Sequence, residues 1–439
     1  MQFDELAGIM KSCGVVGAGG AGFPSYAKLN KKADTVILNC AECEPLFRMH
    51  RQLLARYTYE ILTALEFVRE AVEAERIIVA VKPSYKDAIS AVRDRLESFP
   101  NVTVKPLPEV YPAGDEVVTI YETTGRVVPP GKIPISVGCI VFNVETMLNT
   151  YYAVTENRPV TEKYVTVGGA VKNPTTYRVP IGMRFSELAE LAGGSTVEDA
   201  AYMSGGVMTG KLAKETDVVT KTTNAVLVLP ENHPVIVKRK TRTTMNIKRS
   251  MSSCCQCRTC TDLCPRNMLG HPVEPHLFMR AVSKGMDSDI KAVLNTAYCV
   301  QCGVCEMYAC PQGLAPKTLM GECKDMLKQR GVKLDEPEFQ PVNPMRPYRM
   351  VQMKRLLGRL GLTPYVVKAP LVDESIEPKE VKILMSQHIG IPAKPIVKKG
   401  DTIEAGQKIA TVGDKLGCDI YSPKSGKVIE VTDNYTVIR

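Results

Sequence analysis

Two runs of cysteine constrain this chain more than anything else in it. The first sets Cys254, Cys257, Cys260 and Cys264 at C-x2-C-x2-C-x3-C-P, and the second sets Cys299, Cys302, Cys305 and Cys310 at C-x2-C-x2-C-x4-C-P. Three thiolates at such intervals wrap a compact loop around one face of an iron–sulfur cube. The fourth, just before a proline, ligates the other cube. The spacing therefore assigns Cys254, Cys257, Cys260 and Cys310 to one 4Fe-4S cluster and Cys299, Cys302, Cys305 and Cys264 to a second. Zinc sites pair two C-x2-C hairpins and need no Cys-Pro. Disulfide frameworks belong to small secreted domains. Cys255 lies inside the first loop as a rival ligand, but the regular spacing favours Cys254.

The 439 residues allow three or four domains. The N-terminus carries acids and lacks the apolar core of a signal peptide. No apolar run approaches a membrane span. The expected location is the cytoplasm, free or attached to a complex by surface contacts. Fifteen cysteines in a reducing compartment point to metal. The formal charge of +9 is a weak argument for nucleic acid, because clusters and a phosphorylated cofactor add negative charge. No fingerprint of a nucleic-acid-binding fold accompanies it.

Ahead of the cysteines, residues 14–29 read GVVGAGGAGFPSYAKL. Gly17, Gly19, Gly20 and Gly22 let backbone approach a ligand closely, and a helix expected to begin near Phe23 would seat a phosphate. A buried strand over 35–38 then delivers Asn39, Glu42 and Glu44 to the edge where open α/β sheets bind ligands. Helical periodicity over 51–74, a strand over 77–81, a helix over 85–96 and a strand over 102–104 predict a parallel sheet. Residues 1–155 are thus a Rossmann-like domain, closing with YPAGDE and the strand-like GCIVFNVET. Short strands, Gly/Pro turns and one helix over 185–191 predict a small α+β domain over 160–232. The basic stretch 238–249 reads as a solvated linker, or as a docking patch for an acidic electron-transfer partner. The cluster domain spans 245–330, a proline-rich linker 331–378, and short strands with Gly turns 379–439.

GAGGAGFP with Lys28, NCAECEP, YPAGDE and FNVET, in this order, resemble the flavin domain of two relatives. One is the NADH-oxidising subunit of respiratory complex I, and the other is the RnfC subunit of ferredoxin:NAD oxidoreductases. The resemblance implies FMN held by Gly17, Gly19, Gly20, Lys28, Asn39, Tyr111, Asp115, Asn143 and Thr146. It implies NADH as substrate, met by Glu44, Glu116 and the ring of Phe23. One flavin-side asparagine of the family is Phe142 here, and one NADH-side acid is Asp115 in place of Glu. Residues 160–232 resemble the family's β-grasp (SLBB-like) domain, and 379–439 a barrel-sandwich domain of the biotinyl/lipoyl type. The C-terminal barrel and the four residues before Cys310 are similar to the PduS type of cobalamin reductase. That implies NADH-dependent enzymatic electron transfer to cobalamin or to a redox protein partner, with association with a bacterial microcompartment. Components of Rnf-like complexes and a proline-reductase-associated electron carrier are the alternatives. Cys40 and Cys43 read as ordinary strand-end residues, His271 and His388 as structural, and Lys415 as a turn lysine.

Overall fold

Alternation of core faces along two strands organises the front of the chain. The computed structural model describes residues 1–439. In β1 (Thr35–Cys40) and β2 (Arg76–Val81), Val36, Leu38, Ile77 and Val79 face one apolar core while Ile37, Ile78 and Ala80 face another. A sheet buried on both faces is what all-parallel pairing requires. β3 (Val102–Pro106), the two-residue β4 (Val110–Tyr111) and β5 (Cys139–Asn143) complete the strands. The parallel sheet runs β3-β2-β1-β5. Helices α1 (Phe3–Ser12), α2 (Met49–Arg56), α3 (Thr58–Val72), α4 (Lys86–Arg93), α5 (Glu116–Thr124) and α6 (Val144–Glu156) flank it.

Two local expectations change. The long helical run is two helices, broken at Tyr57, whose backbone leaves the helical region at φ −115° and ψ 38°. The break carries the Tyr57 hydroxyl to Asp373 and to within 3.4 Å of the Tyr164 hydroxyl, in the next domain. After the glycine loop there is only a 3-10 turn, Ser25–Lys28.

Strands Glu162–Gly169, Thr175–Pro180, Ala200–Ser204, Lys211–Ala213 and Ala225–Pro230 form the second sheet around helix Phe185–Leu191. The proline-rich segment packs back on the body. Its Leu371–Val372 adds an edge strand to this sheet, and Val351–Gln352 pairs with β4. The basic stretch, expected as a solvated linker, folds as helix, in Pro234–Lys240 and Thr243–Ser253. The extra residue of the second cysteine run is absorbed as a π turn, Cys305–Ala309, where the first run has an α turn, Thr259–Asp262. The last strands, Val381–Leu384 to Tyr435–Ile438, form two small sheets over one apolar core, and Lys415 is exposed on a turn. No helix is long and apolar enough to cross a membrane.

Candidate functional site

β1 leads to β2 on one side, while its other neighbour, β5, arrives last in the sheet. The crevice beyond their carboxyl ends is the topological switch point, where open α/β sheets bind ligands. A cleft of about 650 Å³ opens there, within the range of a cofactor pocket. Gly17, Gly19, Gly20, Phe23, Lys28, Asn39, Glu44, Tyr111, Asp115, Glu116, Asn143 and Thr146 all line it.

The side chains have distinct tasks. Asn143 caps α6, its Oδ1 accepting from the Thr146 amide at 2.8 Å, and the Thr146 hydroxyl accepts from the Ala18 amide at 3.0 Å. The helix start beside the glycine loop is therefore that of α6, not of the segment that follows the loop. A Cβ on Gly19 would stand 2.7 Å from Asn224 Nδ2 and 3.3 Å from Asn143 Nδ2. Lys28 donates to Glu116 at 3.1 Å and to the Val141 carbonyl at 3.0 Å, with its ammonium 5.9 Å from the Phe142 ring centre. An ammonium, two carboxamides and a helix start beside bare backbone make a donor set suited to a phosphate.

Asn39 braces the opposite turn, donating to the Gly114 carbonyl at 2.8 Å. Gly114 packs so closely that a Cβ would stand 2.0 Å from the Ala41 carbonyl oxygen. Asp115 is committed on both oxygens: Oδ1 accepts from the Val117 and Val118 amides at 3.1 Å, and Oδ2 pairs with Arg266 at 2.9 Å. Glu44 accepts from the Met208 amide at 2.9 Å and the Thr209 amide at 2.7 Å. Burial raises its carboxyl pKa, and the Thr209 and Met208 donors oppose that. Burial would also raise Glu42, but Arg51, at 3.0 Å, and His50 outweigh it and hold that carboxyl below its usual range. Cys43 is pushed up to about 11 by burial, and Cys40 is fully buried, so neither is poised as a thiolate.

Each predicted ligand set surrounds its own cavity. Cys254, Cys257, Cys260 and Cys310 line one, and Cys264, Cys299, Cys302 and Cys305 line the other. No three His, Cys, Asp or Glu side chains converge as a single ion needs. Thiols standing around a void fit a polynuclear cube. The second set adjoins the cleft: Val300 and Cys302 line its wall, and the Tyr111 hydroxyl donates to the Cys302 carbonyl at 2.5 Å.

Sequence reasoning missed Asn224 and Thr209, which enter the cleft from other parts of the chain and carry no local motif, and Val300, whose place between two cluster cysteines does not show that it reaches the cleft. His271 is structural. It is buried at 5% exposure, and its Nε2 donates to the Val128 carbonyl at 3.0 Å. Burial first, then the charge of Arg266, lowers its pKa to about 4. The unfolded chain takes up this proton near pH 6.5 and the folded chain only near 4. Stability from this group is thus complete above about pH 6.5 and is lost as pH falls toward 4. Between pH 7 and 5 the loss is about 2 kcal/mol. In urea melts of the holoprotein, His271→Gln should lower the pH 7 midpoint and shrink its drop on going to pH 5. An undiminished drop would reject this role.

Known proteins share each part of this arrangement. Residues 10–152 match the Nuo51 FMN-binding domain, 164–212 the SLBB domain, 253–315 the 4Fe-4S dicluster domain and 361–438 the RnfC barrel sandwich hybrid domain. The chain is 40% identical to cobalamin reductase PduS of Salmonella typhimurium, over 100% of this chain and 97% of that protein. It is equally, 40%, identical to cobalamin reductase PduS of Citrobacter freundii, over 98% and 95%. A component of the Na(+)-translocating ferredoxin:NAD(+) oxidoreductase complex of Acetobacterium woodii is 31% identical over 60% of this chain and 58% of its own. A crystal structure of an NAD+-reducing NiFe hydrogenase covers 79% of this chain and 66% of its own at TM-score 0.50 and 20% identity, a likeness of fold alone.

Proposed function

The chain belongs to the PduS family of cobalamin reductases, and from that premise we propose that it passes electrons from NADH, through FMN and two 4Fe-4S clusters, to cobalamin. One observation carries the proposal: the switch-point cleft and the second cysteine cavity share a wall at Val300 and Cys302. FMN held in the cleft would supply the change from a two-electron hydride donor to single electrons, as one-electron clusters require. The protein's part is holding and orienting. Lys28, the glycine loop and Asn143 hold the FMN phosphate end, with Asn224 beside them. Thr146 fixes the loop against α6. Asn39 and Tyr111 set the opposite wall. Glu116, in the first turn of α5, orients the nicotinamide of NADH, with Phe23 beside it. Glu44 acts with it, through the Met208–Thr209 loop that it holds. Asp115 and Arg266 lock the flavin domain to the helix after Cys264, keeping the two cofactor sites in register. The cytoplasmic and microcompartment-associated location rests on the same family membership.

The test is anaerobic reconstitution with iron, sulfide and FMN, then titration with NADH with and without cobalamin. NADH alone should bleach the flavin, and added cobalamin should be reduced with one NADH consumed per electron pair delivered. A flavin that NADH does not bleach would overturn the NADH reading. A bleached flavin with cobalamin left oxidised would overturn the acceptor.

A further inference from the structure

The two cysteine loops repeat one backbone. Gln256 and Arg258 in the first, at φ 53° and 66°, match Gln301 and Gly303 in the second, at φ 58° and 83°. In that correspondence Cys255 takes the place of Val300. Val300 lines the flavin cleft, so its loop faces the electron entry. The Cys255 loop faces solvent at the far end, with Cys255, Gln256, Cys257 and Arg258 all exposed. Arg258 keeps its side chain at a left-handed position where the sister loop has glycine.

Exposed basic residues lead up to and flank this edge. Helix Thr243–Ser253, which leads into Cys254, carries exposed Lys248 and Arg249, with Arg242 at its cap, and bears no acid. Arg359 donates to the Cys310 carbonyl at 3.3 Å. Met245 and Met251 are 52% and 59% exposed among these cations, an apolar and adaptable surface. Two of the nearby acids are already engaged: Asp262 pairs with Arg258 and Arg349, and Glu322 accepts from Thr243. Charge complementarity selects an acidic occupant, and complementary charge speeds encounter.

We propose that the basic residues leading into and flanking the Cys254–Cys260 loop, Arg242, Lys248, Arg249, Arg258 and Arg359, dock an acidic protein that accepts electrons one at a time. The proposal rests on the flavin-to-cluster part of the reading above and adds, beside cobalamin, a protein acceptor at its exit end. The transfer forms and breaks no bond. The chain is oxidised by one electron and the acceptor is reduced by one, twice for each NADH consumed.

Native and succinylated cytochrome c test this, since they are one redox protein with opposite charge. Holoprotein reduced with dithionite and desalted is used, so a failed NADH site leaves the experiment intact. At low ionic strength the succinylated form should bind about tenfold or more tightly than the native one, and be reduced faster, with both advantages erased by salt. The triple variant R242E/K248E/R249E should lose that tenfold while iron content and cluster EPR stay unchanged. K394E/K398E/K399E, which changes net charge equally on the C-terminal barrel, should bind as the parent does. Equal binding of the two cytochromes, parental binding by the first variant, or equal loss in both variants would each overturn the proposal.

Discussion

Cys305→Ser should leave the flavin half of the protein working and close its exit. NADH still bleaches the flavin, iron falls by about half, one of two cluster EPR signals disappears, and cobalamin reduction drops to the uncatalysed background. The reason is position. Cys305 is buried at 8% exposure and belongs to the set whose cavity adjoins the cleft, so that cluster stands between the flavin and the exposed far loop. A serine hydroxyl is a poor substitute for a thiolate on iron. Cys257→Ser, in the far set, should remove the other EPR signal and leave the near one reducible by NADH. Cys255→Ser should keep full iron, because Cys255 is exposed and is the extra thiol of its loop. Two intact signals in Cys305→Ser, or lost iron in Cys255→Ser, would refute the ligand assignment.

What was legible in the sequence was what is local. Thiolate spacing is a property of single loops, so both ligand sets could be written down without knowing how the loops meet. Continuous apolar runs over 35–38 and 77–81, alternating with helical stretches, revealed buried strands, hence a parallel sheet with a ligand-binding edge beyond β1. The extra residue before Cys310 was visible as spacing, but the π turn that absorbs it was not. The long-range partners were hidden. Asp115 stands in a glycine-acid-acid turn and read as a flavin ligand, yet one oxygen caps α5 and the other meets Arg266, 151 residues away. Glu44 read as a group facing NADH, yet Thr209 and Met208 occupy its oxygens from the second domain. Periodicity alone joined α2 to α3, because nothing near Tyr57 in the chain announces Asp373.

Lys28→Ala should empty the flavin site and spare the clusters. Lys28 reaches Glu116 and the Val141 carbonyl, and all three line the cleft with the glycine loop. An ammonium that meets a phosphate makes a charge-assisted hydrogen bond. Truncating one partner of such a pair costs about 2–5 kcal/mol, which raises the FMN dissociation constant roughly 30- to 4,000-fold. The variant should therefore lose its flavin on desalting and fail to reduce dyes with NADH. Both cluster EPR signals should still appear on reduction with dithionite. Glu116 is left without its cation, but its side chain is 40% exposed, so water solvates it and the fold survives. Lys28→Arg keeps the charge and should recover part of the FMN affinity. Lys31→Ala removes only an exposed lysine paired with Glu73 and should change nothing. If Lys28→Ala binds FMN as tightly as the parent, the phosphate lies elsewhere in the cleft and the role given to the glycine loop falls with it.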